Sequence, residues 1–119
     1  MKLNHLNLTV TDAAETAGFL CKHFGLRPLE GAPRASAAMA FVTDDNGMVL
    51  SLFRDKRDAE VEYPGFFHIG FIQESEERVN EINRRLKEDG FDAPPPDRQH
   101  GSWTFYFRAP GGFIIEVLG

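Results

Sequence analysis

The feature that most constrains this chain is an internal duplication. The step in sequence position from His5 to His68 equals that from Asp12 to Ser75, since 68 − 5 = 75 − 12 = 63. From the ends of the two helical segments onward the spacing is constant at 65, matching Gly25 to Gly90, Phe41 to Tyr106, Gly47 to Gly112 and Ser51 to Glu116. The difference falls in the second helical region. A repeat of this length is one supersecondary unit, so the fold is read one module at a time.

In the first module, residues 3–10 alternate, with Leu6, Leu8 and Val10 on one face and His5, Asn7 and Thr9 on the other, as in a half-buried strand. Asp12 with Glu15 three places on opens a helix in the manner of a capping box, and Gly25 closes it. Ala17, Leu20, Cys21 and Phe24 are its expected apolar stripe. A short extended stretch at 26–29, a strand around 38–43, the turn 44–47 and a strand at 48–53 complete βαβββ. The order restarts after the polar segment 54–62: a strand at 66–72, a helix opened by Ser75 with Val79, Ile82 and Leu86 inward, a short strand at 91–93, then strands at 103–108 and 113–118. The expected fold is α+β, two βαβββ modules forming a curled eight-stranded sheet within one domain. The divisions are residues 1–54, a linker at 55–64, and 65–119.

The 119 residues suffice for one domain of ordinary size. Thirteen Lys and Arg against 18 Asp and Glu give a net charge of −5 without a basic patch, which argues against a nucleic-acid partner. No apolar run is long enough to span a bilayer and the N-terminus lacks a secretory pattern, so a cytoplasmic protein with no membrane role is expected. Cys21 is the only cysteine, which leaves no intrachain disulfide or Cys-based zinc cluster and reads as a small buried thiol.

Four positions carry the chemistry: His5 and His68 on the first strand of each module, Ser51 and Glu116 on the last. A carboxylate among Ile114 and Leu118 is costly unless paired or ligated. Two His and one carboxylate form the facial triad that holds Fe(II) or a similar divalent ion with positions open to substrate. The competing reading has the histidines hydrogen-bonded to each other or to Glu116, without metal.

At these residues the stretches LNHLNLTVTD (3–12), FFHIGF (66–71) and FYFRAPGGFIIEV (105–117) resemble the vicinal oxygen chelate superfamily, which includes glyoxalase I, fosfomycin resistance enzymes, extradiol dioxygenases, methylmalonyl-CoA epimerase and bleomycin resistance proteins. The resemblance implies His5, His68 and Glu116 as metal ligands, with Fe(II) favoured and Mn, Zn, Ni or Co as alternatives. Glyoxalase I carries a second Glu where this chain has Ser51, and fosfomycin enzymes carry a Thr where it has Asn7. Extradiol dioxygenases carry a Tyr ten residues before the ligand Glu, as Tyr106 stands before Glu116, and a His in the preceding loop, for which His100 is the candidate.

The expectation is therefore a metal-dependent enzyme acting on a small molecule with vicinal oxygens, leaning to extradiol-type ring cleavage, with Tyr106 and His100 catalytic and Asn7, Ser51, Thr104 and Arg108 toward the substrate. Alternatives are a metal-free binding protein for a bleomycin-type antibiotic and a glyoxalase-like lyase or thiol transferase. A homodimer is expected. Tyr106 also reads as an exposed sheet residue and His100 as a surface histidine. His23 reads as a partner of the helix C-terminal dipole, and Trp103, Phe105 and Phe107 as core or partner contacts.

Overall fold

The computed structural model describes residues 1–55 and 60–119. The chain divides into two compact units, one of Met1–Glu62 with Pro110–Gly112 and one of Tyr63–Ala109 with Phe113–Gly119. Of the expected linker, residues 56–59 lie outside the described residues. Among the described residues no helix is long and apolar enough to cross a membrane.

Unit 1 contains β1 (His5–Val10), α1 (Ala13–Phe24), β2 (Arg27–Pro28), β3 (Met39–Thr43) and β4 (Val49–Arg54). Its sheet runs β1-β4-β3-β2, with β1 parallel to β4 and the other pairs antiparallel. Alternation puts Leu8, Val10, Ala40, Val42, Leu50 and Leu52 under α1, all buried. The Asp12 carboxylate accepts from the Glu15 amide at 2.9 Å. Such a cap is worth about 1 kcal/mol. Gly25 ends the helix at φ 69°, a left-handed conformation in which a side chain would be strained.

The buried stripe of α1 is rotated from the expected one. Ala13, Thr16, Ala17, Phe19, Leu20 and His23 are buried, while Cys21 and Phe24 are only half-covered. The Thr16 hydroxyl donates to the Asp12 carbonyl at 2.8 Å, and a polar group satisfied in this way can be buried. His23, in the last turn of α1, is an interior residue with its ring 5.1 Å from that of Phe19. Partial burial pushes the Cys21 thiol pKa up, away from thiolate reactivity.

Unit 2 contains β5 (His68–Ile72), α2 (Glu76–Glu88), β6 (Asp97–Gln99), β7 (Ser102–Arg108) and β8 (Ile114–Leu118), in the sheet order β5-β8-β7-β6. The Ser75 hydroxyl accepts from the Arg78 amide at 3.1 Å. Val79, Ile82 and Leu86 lie inward as expected, over buried Phe105, Phe107, Ile115 and Val117. Asn83 is buried as well, its amide donating to the Pro94 carbonyl at 2.7 Å. Trp103 is half-buried, with its indole N–H on Asn80 at 2.8 Å and the Arg98 guanidinium 5.4 Å from its ring.

The strand expected at 91–93 is absent. There the chain makes local bonds, from the Phe91 amide to Leu86 and from the Ala93 amide to Phe91. The Pro94-Pro95-Pro96 run has no N–H to offer a ladder, so pairing starts only at Asp97.

The α+β, two-module architecture holds, and it is built as two four-stranded sheets with one helix each. The repeat is carried into register. Asn7 lies beside Ser51 and Ser51 across from Phe41, as Gly70 lies beside Glu116 and Glu116 across from Tyr106.

Candidate metal and substrate site

In unit 2 the face of the sheet away from α2 carries His68, Gly70 and Ile72 from β5, Ile114, Glu116 and Leu118 from β8, and Thr104, Tyr106 and Arg108 from β7. Gly70 sits directly beside Glu116 in register. A Cβ built on it would come 3.6 Å from Glu116 Oε2, so the glycine leaves the carboxylate open on its β5 side.

Glu116 is largely covered, its side chain 15% exposed against 41% for His68. Its Oε1 accepts from the Thr104 hydroxyl at 3.3 Å, and its Oε2 lies 3.4 Å from His68 Nε2. His68 Nδ1 is 2.9 Å from the Phe66 carbonyl oxygen. A carbonyl only accepts, so Nδ1 carries the hydrogen and Nε2 is the nitrogen aimed at Glu116.

A neutral imidazole would then present a lone pair to a carboxylate oxygen. Two such acceptors at this separation repel unless a cation is shared between them, a place that a proton or a divalent metal ion could take. A backbone partner on the far nitrogen is the arrangement common to metal-ligating histidines.

Tyr106 crosses the His68 ring edge-on, with centroids 5.5 Å apart. Burial, then a hydrogen bond and the charge of the Glu116 carboxylate, push its phenol above the usual tyrosine pKa of 10.0. All three disfavour the phenolate, so it stays protonated. It is a neutral donor at neutral pH.

In unit 1 the corresponding row is uncharged. The Asn7 amide donates to Ser51 Oγ at 2.9 Å, and Phe41, across from Ser51, meets Phe53 edge-on at 5.7 Å. His5, two residues before Asn7 on β1, has Nδ1 2.9 Å from the Asn4 side-chain oxygen. Within each unit taken alone, the described residues gather no group of three His, Cys, Asp or Glu side chains suited to a metal.

Two expectations change. Thr104 is wholly buried and bonds to both Glu116 and the Val117 carbonyl, so it faces the carboxylate rather than a substrate. His100 is not brought to the Glu116 cluster. With φ 51°, it forms with Gly101 the two-residue turn between Gln99 and Ser102, a hairpin connection that demands such angles. Ser102 lies four residues before Tyr106, about 13 Å along the strand at ~3.3 Å per residue. Arg108 is exposed on the same face, two residues beyond Tyr106.

The sequence matches the profile of the Glyoxalase/Bleomycin resistance protein/Dioxygenase superfamily over residues 2–117. The chain belongs to this superfamily. A solved structure titled as a possible glyoxalase from Bacillus cereus is 49% identical, with a TM-score of 0.87, covering 100% of this chain and 99% of its own. A lactoylglutathione lyase from Agrobacterium tumefaciens (20% identity, TM-score 0.73, 98% and 92% covered) and the oxidase ChaP-H2 (24%, 0.77, 99% and 92%) share the fold. No curated protein matches the chain. Within the superfamily, sequence reasoning did not anticipate Thr104 as a partner of Glu116. The signal available was its place two residues before Tyr106 on the same strand face.

Proposed function

We propose that the protein is a metal-dependent enzyme of the vicinal oxygen chelate type, with His68 and Glu116 holding a divalent cation and His5 as the third protein ligand that the resemblance implies. The observation that carries this reading is the approach of His68 Nε2 to Glu116 Oε2 at 3.4 Å while Nδ1 is committed to a backbone carbonyl. The ion, with Fe(II) first among the candidates, would polarise vicinal oxygens of a bound substrate or bring it together with O2.

The chain's own residues have separable tasks. Glu116 supplies the negative charge that balances the ion. Tyr106, kept neutral with its one phenol proton on that carboxylate, leaves its oxygen to accept a hydrogen bond from a substrate hydroxyl. Asn7 and Ser51 are an uncharged donor and acceptor, proposed for the substrate side. A catecholic substrate combines an apolar ring with two adjacent oxygens, and extradiol-type cleavage is the first reaction to test.

The direct test is O2 consumption by anaerobically Fe(II)-loaded protein across a panel of catechols, with a yellow ring-opened product expected. Absence of uptake with iron confirmed in the site would remove the dioxygenase assignment and favour lyase or transferase chemistry. Absence of any bound divalent ion would remove the metal reading itself.

A further inference from the structure

We infer that Thr104 is a positioning residue for the Glu116 carboxylate, holding Oε1 so that Oε2 is the oxygen presented to His68 and to the cation. The inference rests on the reading of His68 and Glu116 as cation ligands. It starts from an asymmetry between the two carboxylate oxygens: Oε1 faces the Thr104 hydroxyl at 3.3 Å and Oε2 faces His68 Nε2 at 3.4 Å.

Thr104 is fixed from two directions. It is 0% exposed, and Oγ1 also lies 2.9 Å from the Val117 carbonyl oxygen. In register it stands across from Leu118, so it reaches Glu116 diagonally, two residues back along β8, within the span of same-face neighbours. A β-branched side chain has few χ1 choices, and packing leaves this one no room to change.

One hydroxyl proton is shared between two acceptors, the nearer being the backbone carbonyl. The hydroxyl is therefore anchored whether or not Glu116 takes the proton. Donation to the carboxylate is charge-assisted and gains strength when Glu116 is ionised, the state in which it binds a cation.

The repeat supplies a control within the molecule. At the constant offset of 65 the counterpart of Thr104 is Met39, in the row next to Ser51, and it has no donor. The hydroxyl accompanies the carboxylate and is missing where the carboxylate is missing. Full burial keeps Thr104 from touching a substrate, so its effect must pass through Glu116.

The test is a calorimetric titration of the full chain with Co(II), paired with visible absorption spectra, for wild type and Thr104→Ser, Thr104→Val and Thr104→Ala. Partners of ligating groups typically contribute ten- to a hundredfold in affinity. The hydroxyl-bearing Ser variant is expected to bind within a few-fold of wild type. The Val and Ala variants should both be weaker by about ten- to a hundredfold, with altered Co(II) bands as the carboxylate loses its fixed orientation. Affinity that instead follows side-chain volume, with Val like Thr and Ser like Ala, would make the role one of packing and overturn the inference. Equal affinity in all four proteins would overturn it too. Wild type without Co(II) binding would overturn the metal reading first and the inference with it.

Discussion

The two sheets share one register and differ in what that register carries. In unit 1 the row Asn7, Ser51, Phe41 is neutral and closed by an internal hydrogen bond, whereas in unit 2 the row Gly70, Glu116, Tyr106 holds a carboxylate between an open glycine and a phenol. The opposite faces carry the same kind of residue in both units, Leu, Val and Ala in one and Phe, Ile and Val in the other. Strand alternation explains the contrast. A one-residue slip would turn every core side chain outward, so the buried face fixes register and the other face is free to diverge. The outer strands diverged too, since β2 pairs with the end of β3 at Thr43 and β6 with the start of β7 at Ser102 to Thr104.

If charge in the unit 2 row is what binds the cation, making that row resemble unit 1 should have the largest effect. Glu116→Ser is expected to weaken Co(II) binding by more than about a hundredfold, beyond the range of outer partners, with far-UV circular dichroism unchanged. Retained binding would move the site away from this row. The converse change, Ser51→Glu, makes unit 1 resemble unit 2. Glyoxalase I carries a Glu at the position of Ser51, so the resemblance implies that this added carboxylate tightens binding of octahedral ions and, by closing a coordination position, lowers any oxygenase activity. Unchanged affinity and spectra would place residue 51 outside the site.

The repeat-matched turns allow a comparison of stability. Gly47 and Gly112 have φ 78° and 98°, but a Cβ at Gly47 meets nothing within 4 Å, whereas one at Gly112 comes 3.3 Å from the Val61 carbonyl oxygen. Gly47→Ala should cost about 1 kcal/mol from backbone conformation alone, and Gly112→Ala about 2–3 kcal/mol, measured by urea unfolding. Equal costs would show that the close approach carries no energy.

The smallest effect concerns Tyr106, whose counterpart Phe41 cannot ionise. Folding favours its neutral phenol, so the stability it contributes is complete below the ordinary tyrosine pKa of 10.0 and is lost as pH rises through the raised folded value. Tyr106→Phe should flatten that alkaline loss in urea midpoints measured against pH. The phenolate absorbance of Tyr106, isolated as the difference between wild type and Tyr106→Phe, should rise at higher pH than that of free tyrosine.

Much of this was legible in the chain. Asp12, Ser75 and Gly25 announce the helix ends through their own chemistry, and the spacing of His5 and His68 states the duplication. The second strand of module 2 was not legible, because the triple proline cancels the pairing its neighbours would favour and Asp97–Gln99 has no apolar alternation. The rotated stripe of α1 was hidden by Thr16 and His23, polar residues whose burial depends on partners only folding supplies. Tyr106 could be placed beside Glu116 from its strand face and from the ten-residue spacing of the resemblance, whereas the Thr104 contact is diagonal and appears only when the strands are paired. His100 lies in the left-handed position of a tight turn, a backbone demand that its side-chain chemistry does not advertise.

The central claim, a divalent cation on His68 and Glu116 with His5 as third ligand, is tested most directly by X-ray absorption fine structure of the Zn(II)-loaded full chain. The result expected is imidazole scattering from two histidines at about 2.0–2.1 Å together with carboxylate oxygen at about 2.0–2.2 Å. A first shell of oxygen alone, without imidazole, would contradict the claim and leave His68 and Glu116 as an ordinary ion pair.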